Sequence, residues 1–271
     1  ADIESFNPWI MANDSRQQVF YDNIYEPLAR LTLDGEREYV IAESLEDKGN
    51  GTYEIFLNDD VYDSAGNNIT ADDVIFSYQS CMEQGQLAWG IKYLDHFDKV
   101  NDYELTMYLN KESAVALDMV LKKCFIVSQK AYEASSDGFA NDPVGTGPYV
   151  VTSYEPGSQV VVEARDNYWQ TDPEKVSLEA TLGSVKTITY KVYTDTSQLA
   201  LALEMGEIDG SLNIQNVDLD NFLNEDRTPK EGYNVNTNLS ALVHFIAFNC
   251  SDQSPMSDIR VRQAVSYALD M

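Results

Sequence analysis

The sequence predicts an α/β protein of two domains, and three observations carry that expectation. Strand-like and helix-like segments mix along 271 residues without a repeat or low-complexity tract. Between residues 186 and 212 a strand, a helix and a strand follow so closely that a right-handed parallel crossover is expected. The hydrophobic content of 44% supports a large core, at a length where chains usually divide in two.

Residues 38–62 read as a strand pair, Tyr39-Val40-Ile41 with Thr52-Tyr53-Glu54-Ile55-Phe56-Leu57, connected through Lys48-Gly49-Asn50-Gly51. After a turn at 63–68, Thr70 is placed to accept from the first-turn amides while Asp72 and Asp73 favour the positive helix end. A helix is therefore expected over about 71–82, with Val74, Tyr78 and Cys81 inward. Tyr103, Leu105, Met107 and Leu109 alternate as a half-buried strand, 114–121 is helical, and Cys124-Phe125-Ile126-Val127 is a short buried strand. The run 141–149 is dense in Gly and Pro and marks a domain junction.

Beyond it, 149–154 and 159–164 form a hairpin around Glu155-Pro156-Gly157-Ser158. A strand at 186–193, a helix at 197–205 behind the capping residues Asp195 and Thr196, and a strand at 208–212 follow. Residues 241–249 read as another buried strand, and Ser257 opens a helix with Val261, Val265 and Leu269 inward. That helix meets Met271 without the Gly or Asn that usually closes one, so the native sequence is expected to continue.

Charge excludes several partners. With 18 basic and 45 acidic residues, the net charge of −27 repels phosphate backbones and anionic lipid, so no nucleic acid is expected. No apolar run approaches the ~20 residues of a membrane span, and residues 1–30 lack a signal-peptide pattern. Cys81, Cys124 and Cys250 are odd in number and form no CxxC, so they read as buried free thiols.

The search for chemistry is mostly negative. Gly145-Thr146-Gly147 begins like a dinucleotide loop, but Val150 and Pro148 break the fingerprint. His96 and His244 are too far apart for a local zinc pair, and His244 reads as a satisfied core or cleft-edge residue. Asp59-Asp60 with Asp63 lacks the spacing of a calcium loop and reads as a solvated turn. The 45 acids would allow a glycosidase pair, yet none is marked by its neighbours. No catalytic residue, metal or cofactor is assigned. Trp169 reads as structural and Trp89, in a polar stretch after a helix, as a cleft residue.

Several segments together resemble one family. They are Phe6-Asn7-Pro8-Trp9, Ile24-Tyr25-Glu26-Pro27-Leu28, Ile41-Ala42-Glu43-Ser44 and Gly51-Thr52-Tyr53-Glu54-Ile55. They continue with Ile69-Thr70-Ala71-Asp72-Asp73-Val74-Ile75-Phe76-Ser77-Tyr78, Pro143-Val144-Gly145-Thr146-Gly147-Pro148-Tyr149 and Arg165-Asp166-Asn167-Tyr168-Trp169. Phe248-Asn249 and the run from Ser257 to Asp270 close the series. In this order they resemble the extracellular solute-binding proteins, family 5, that feed peptide, dipeptide and nickel ABC importers.

The resemblance implies a periplasmic-binding-protein-like class II lobe, a mixed sheet with helices, carrying an inserted smaller α+β domain and lacking the second lobe. Residues 1–25 and 145–271 would form the main domain and 26–144 the insert. The implied function is capture of oligopeptides or dipeptides, without catalysis, for ABC permease subunits in the membrane. Nickel chelates or another small solute are the alternative; a secreted carboxylate-dependent hydrolase and an interaction module without a solute stand further off. The protein would be an extracytoplasmic monomer, in the periplasm or as a surface lipoprotein, with signal and anchor outside this chain. Ligand contacts carried over are the backbone of Ala12, Asn13 and Asp14, the side chains of Trp89 and Asn249, and Tyr25 at the lobe border. The competing readings are a turn residue for Asn13 and a strand-end cap for Asn249. The charged ligand ends would be held by the second lobe, so this fragment alone is expected to bind weakly or not at all.

Overall fold

Gln17, Phe20, Tyr21 and Ile24 recur at helical spacing, and that stripe is buried along helix α1 (Ser15–Ile24). The computed structural model describes residues 3–10, 15–32, 34–84, 88–172, 175, 185–211, 214–236 and 246–268. It forms two units, 1–215 and 216–271.

In the first unit α1 leads into β1 (Glu26–Pro27), β2 (Ala29–Leu31), β3 (Arg37–Tyr39), β4 (Ala42–Gly49) and β5 (Thr52–Leu57). Then come α2 (Ala71–Gln84), α3 (Ala88–Ile91), β6 (Leu94–Asn101), β7 (Glu104–Leu109), α4 (Ala114–Lys123), β8 (Phe125–Ile126) and α5 (Gln129–Ala134). The hairpin β9 (Tyr149–Glu155) and β10 (Gln159–Ala164) precedes β11 (Thr187–Lys191) and α6 (Thr196–Glu204).

A four-stranded antiparallel sheet of order β4-β5-β7-β6 is built entirely from residues 42–109. Tyr53, Ile55 and Leu57 of β5 and Leu105, Met107 and Leu109 of β7 point to its buried face, as their alternation predicts. Helix α2 buries Val74, Tyr78 and Cys81, the expected inner face. Its start differs in detail: the Thr70 hydroxyl donates to Asp73 Oδ2 at 2.9 Å, and the Thr70 amide donates to the same oxygen at 2.8 Å. Asp73 is thus the residue that ties the helix start, because its Oδ1 also accepts the Gln129 amide at 2.8 Å and fastens α5 to α2.

Four expectations are corrected. The partner of β5 is β4, which starts one residue past the expected Tyr39-Val40-Ile41; Tyr39 instead pairs with Ala29 in the small β2-β3 sheet. Residues 208–211 form no strand, and β11 joins β10 antiparallel, so no parallel crossover exists among the described residues. Residues 208–210 lie beside an open concavity that β11 also lines, without entering its ladder. Residues 246–249 are irregular; 241–245 lie outside the described residues. Asp63 is wholly buried, its carboxylate accepting the Ala65 and Asn67 amides at 2.9 and 2.8 Å, so this turn is stapled from within.

The run 143–149 lies against the end of α1. The Gly147 amide donates to the Ile24 carbonyl at 2.9 Å, and the Ser64 amide donates to Gly145 O at 2.9 Å. A Cβ on Gly145 would overlap the Ile24 carbonyl oxygen, and one on Gly147 would sit 2.5 Å from Asn23 O. Space, not torsion, demands glycine here. Arg165 closes the arrangement: Nη1 donates to the carbonyls of Thr146 and Gly147 at 3.2 and 3.0 Å, and Nη2 to Asp63 O at 2.9 Å. Burial lowers the pKa of this guanidinium, which stays charged all the same.

In the second unit, α7 (Asn216–Leu219) precedes a turn where Phe222 packs edge-on to Tyr233 with ring centroids 5.0 Å apart. A 3-10 turn Pro255–Ser257 introduces α8 (Ile259–Ala268), on which Val261 and Val265 stay half-buried and Leu269 lies outside the described residues. No described helix is long and apolar enough to cross a membrane.

Gly147→Ala is expected to cost about 3 kcal/mol in urea unfolding, since the backbone of α1 cannot retreat, whereas Gly210→Ala, with no atom within 4 Å, should stay within about 0.5 kcal/mol. Equal midpoints for the two variants would refute the close-approach argument.

Candidate functional site

A cavity of about 1040 Å³ opens in the first unit, lined by residues of the β9-β10-β11 sheet, α1, α6 and the segment 207–211. Phe20 of α1 with Val160 and Ile188 gives it apolar walls, because the alternation of β10 and β11 turns the two strand side chains to the side on which α1 packs. β11 pairs only with β10 among the described residues, so its other edge carries no neighbouring strand.

Three polar side chains of this cavity, Tyr190, Lys191 and Asp195, are committed to partners. Asn23 Nδ2 donates to the Tyr190 hydroxyl at 2.8 Å, and burial pushes that phenol up to about 12. Lys191 Nζ donates to Glu207 O at 2.8 Å. Asp195 caps α6 by accepting the Ser197 amide and hydroxyl at 2.9 and 2.7 Å, which holds its carboxyl below the usual range. No histidine or cysteine is among the described residues that line the cavity. Nor do the described residues contain a group of three His, Cys, Asp or Glu placed to hold a metal ion. Chemically the arrangement offers apolar wall and strand edge, which suits holding a ligand through its main chain.

A second niche lies where Glu26, Arg30, Tyr168 and Trp169 meet. Glu26 is wholly buried and accepts the Tyr168 hydroxyl at 2.6 Å and the Trp169 indole at 2.8 Å. Burial, then the Glu26 carboxylate, raises the Tyr168 phenol. With a volume of about 10 Å³ the niche admits nothing larger than a water, so it is a structural joint. Trp169 is structural, as its surroundings in the sequence imply.

The sequence-derived ligand residues separate. Ala12, Asn13 and Asp14 lie outside the described residues. The chain just ahead of them is anchored: Trp9 is fully buried with its indole donating to Phe125 O at 3.1 Å, and Asn7 Nδ2 donates to Gly138 O at 2.9 Å. Tyr25 is fully buried, and its hydroxyl donates to Phe6 O at 2.8 Å. The aromatic core, with Tyr21 and Phe125, closes over it in this structure. Trp89 is 45% exposed on α3, with Lys123 Nζ 5.5 Å from its ring centroid, and it does not line the cavity. Asn249, in the second unit, is exposed and its Oδ1 accepts the Ser251 amide at 3.0 Å, a turn contact. The cavity itself escaped sequence reasoning. Only the i, i+3, i+4 stripe of α1 and the alternation of 159–162 hinted at its walls.

Comparison with known proteins decides the family. A model described as "Bacterial extracellular solute-binding proteins, family 5 Middle" matches residues 37–271. This chain belongs to that family. Among relatives, the oligopeptide-binding protein OppA of Bacillus subtilis is 24% identical over 289 aligned residues, covering 96% of this chain and 50% of OppA. The chain therefore spans about half the length of that relative. The structure of oligopeptide-binding AppA from Bacillus subtilis, in complex with a nonapeptide, superposes with a TM-score of 0.63 at 22% identity, covering 75% of this chain and 40% of AppA. NikZ from Campylobacter jejuni, in complex with Ni(L-His), gives 0.64 at 21% identity, covering 77% of this chain and 41% of NikZ. These superpositions show the fold: the mixed α/β lobe of the family, present in part.

Tyr190 links the cavity wall to pH. A phenol whose folded pKa lies near 12 against an ordinary 10.0 contributes stability that is complete below pH 10 and lost as pH rises through 12. Urea midpoints measured across pH 8 to 12 should fall above pH 10 and fall less in Tyr190→Phe; the same slope in both proteins would contradict this assignment.

Proposed function

We propose that the whole protein is the solute receptor of an ABC importer, capturing oligopeptides or dipeptides outside the cytoplasm, and that this chain supplies one jaw of the clamp. The observation that carries the reading is the alignment with oligopeptide-binding OppA along 96% of the chain. The bound nonapeptide of AppA supports the substrate class. The edge of β11 that has no strand beside it among the described residues, over an apolar wall, supports recognition through the main chain, which tolerates varied side chains.

Binding without reaction is the physical core of this proposal. A ligand gripped by two jaws stabilises their closed arrangement by its extra contacts there, and a permease can then distinguish loaded from empty receptor. In this reading the receptor acts as a monomer in the periplasm or on a lipid anchor. Trp89 and Asn249 each contribute a ligand contact in this reading, and the segment holding Ala12, Asn13 and Asp14 follows the Trp9 anchor to meet the ligand's main chain. Residues 1–25 with 145–271 form the main domain and 26–144 the insert. In support, the sheet of 42–109 and the sheet of 149–191 share no strand.

Titration calorimetry of the longer parent protein with a peptide pool should give saturable heat. Heat with nickel–histidine and none with peptides would move the solute class. Trp89→Ala should weaken peptide binding about tenfold, ~1.4 kcal/mol, and an unchanged affinity would remove Trp89 from the site.

Limited proteolysis should cut near 141–145 and leave 26–144 compact; loss of all cooperative unfolding after that cut would reject the boundary.

A further inference from the structure

Lysines are used in two opposite ways in the first unit. Lys48 bridges Glu46 and Glu54 at 2.9 and 2.7 Å, and Lys99 bridges Asp72 and Asp102 at 2.7 and 2.8 Å. Lys92, Lys111, Lys122 and Lys123 form no ion pair among the described residues, although the chain carries 45 acids. Asp118, the acid of α4, is taken by Arg37 at 2.6 Å.

These four lysines gather on aromatic rings instead. The Tyr93 ring centroid lies 5.0 Å from Lys92 Nζ and 5.8 Å from Lys111 Nζ, so two ammonium groups converge on one ring. Asn110 fixes that approach: its amide donates to Tyr93 O at 2.9 Å and its Nδ2 donates to Lys92 O at 2.9 Å. Lys123 lies over the Trp89 ring, and its stem packs so closely on Gly90 that an added Cβ would stand 2.9 Å from its Cβ and Cγ. Burial and then the charge of Lys122 lower the Lys123 pKa, against an upward pull from Asp22. Lys92 and Lys111 are exposed, and Lys122 and Lys123 are half-buried.

We infer that the lysine and aromatic face formed by α3, the turn after it and the end of α4 is a docking surface for an acidic segment of a partner protein. Like charges held together without a counter-ion repel, and an incoming carboxylate relieves that repulsion where a neutral segment does not. Trp89, 45% exposed, and the half-buried Tyr93 supply the kind of aromatic anchor found at the centre of protein interfaces. The chain as a whole carries a net charge of −27, so an extended polyanion such as a lipid surface meets repulsion beyond the lysines. A short acidic segment is spared it, since salt confines charge effects to about 8 Å at physiological ionic strength. The inference concerns this face and does not depend on which solute is captured.

The test titrates the full chain with a fluorescein-labelled hexaglutamate peptide, read by anisotropy at about 20 and about 200 mM NaCl. Binding should saturate, weaken about tenfold or more at the higher salt, and be absent with hexaglutamine. Lys92→Gln with Lys111→Gln should weaken it about tenfold or more, whereas Lys48→Gln with Lys99→Gln, an equal change of charge at paired lysines, should leave it within about twofold. Hexaglutamate should also shield Lys122 and Lys123 from acetylation by an N-hydroxysuccinimide ester, read by peptide mass mapping. No binding, equal binding of hexaglutamine, or equal loss in both double variants would overturn the inference. Binding that ignores Lys92 and Lys111 would mark the probe as a captured solute and overturn it too. Co-sedimentation with phosphatidylglycerol–phosphatidylcholine vesicles that disappears in the Lys92→Gln, Lys111→Gln variant would transfer the face to lipid and overturn the protein assignment.

Discussion

The close approach of the Gly145–Gly147 backbone to the end of α1 is the constraint on which the first unit depends. A carbonyl that leaves a helix needs a donor, and the Gly147 amide supplies one to Ile24 only because no side chain stands between the two backbones. Arg165 then takes up carbonyls of the same loop together with that of Asp63, so one planar cation holds chain segments far apart in sequence. The two larger sheets are positioned around this joint. Residues that resemble a nucleotide loop in one dimension are a packing device in three.

The same economy appears at the amino-terminal end. Phe6, Trp9, Tyr21 and Tyr25 are all buried, and Trp9 and Tyr25 commit their polar atoms to carbonyls. Large aromatic bodies supply core area, and hydrogen bonds at their tips remove the cost of burying a donor. Motifs that mark family membership, such as Phe6-Asn7-Pro8-Trp9 and Arg165-Asp166-Asn167-Tyr168-Trp169, therefore act mainly as anchors. They fix where the chain emerges from the core.

Much of the local structure was legible. The alternation of β5 and β7 identified the buried face of the main sheet, and the stripe Val74, Tyr78, Cys81 identified the inner face of α2, because side-chain periodicity is a local property. The β9-β10 hairpin was legible for the same reason. Pairing was less so. That β4 rather than Tyr39-Val40-Ile41 would join β5 depended on how the β2-β3 ribbon claimed Tyr39, and β8, legible as a short buried strand, pairs with the two-residue β1 across a long separation that no local pattern specifies. The exposure of Trp89 agrees with its place in a polar stretch, whereas the burial of Tyr25 was not legible, because its hydroxyl partner, Phe6 O, comes from a separate segment.

The sequence by itself determined the periodic elements, the acidic balance, and the family to which the chain belongs, since each is carried by residue order and composition. Only the tertiary structure decided that Glu26 would be buried beneath Tyr168 and Trp169, and that β11 would leave one edge without a strand among the described residues. Those outcomes arise from contacts between distant segments, and their energies exist only once the backbone has brought the partners within bonding distance.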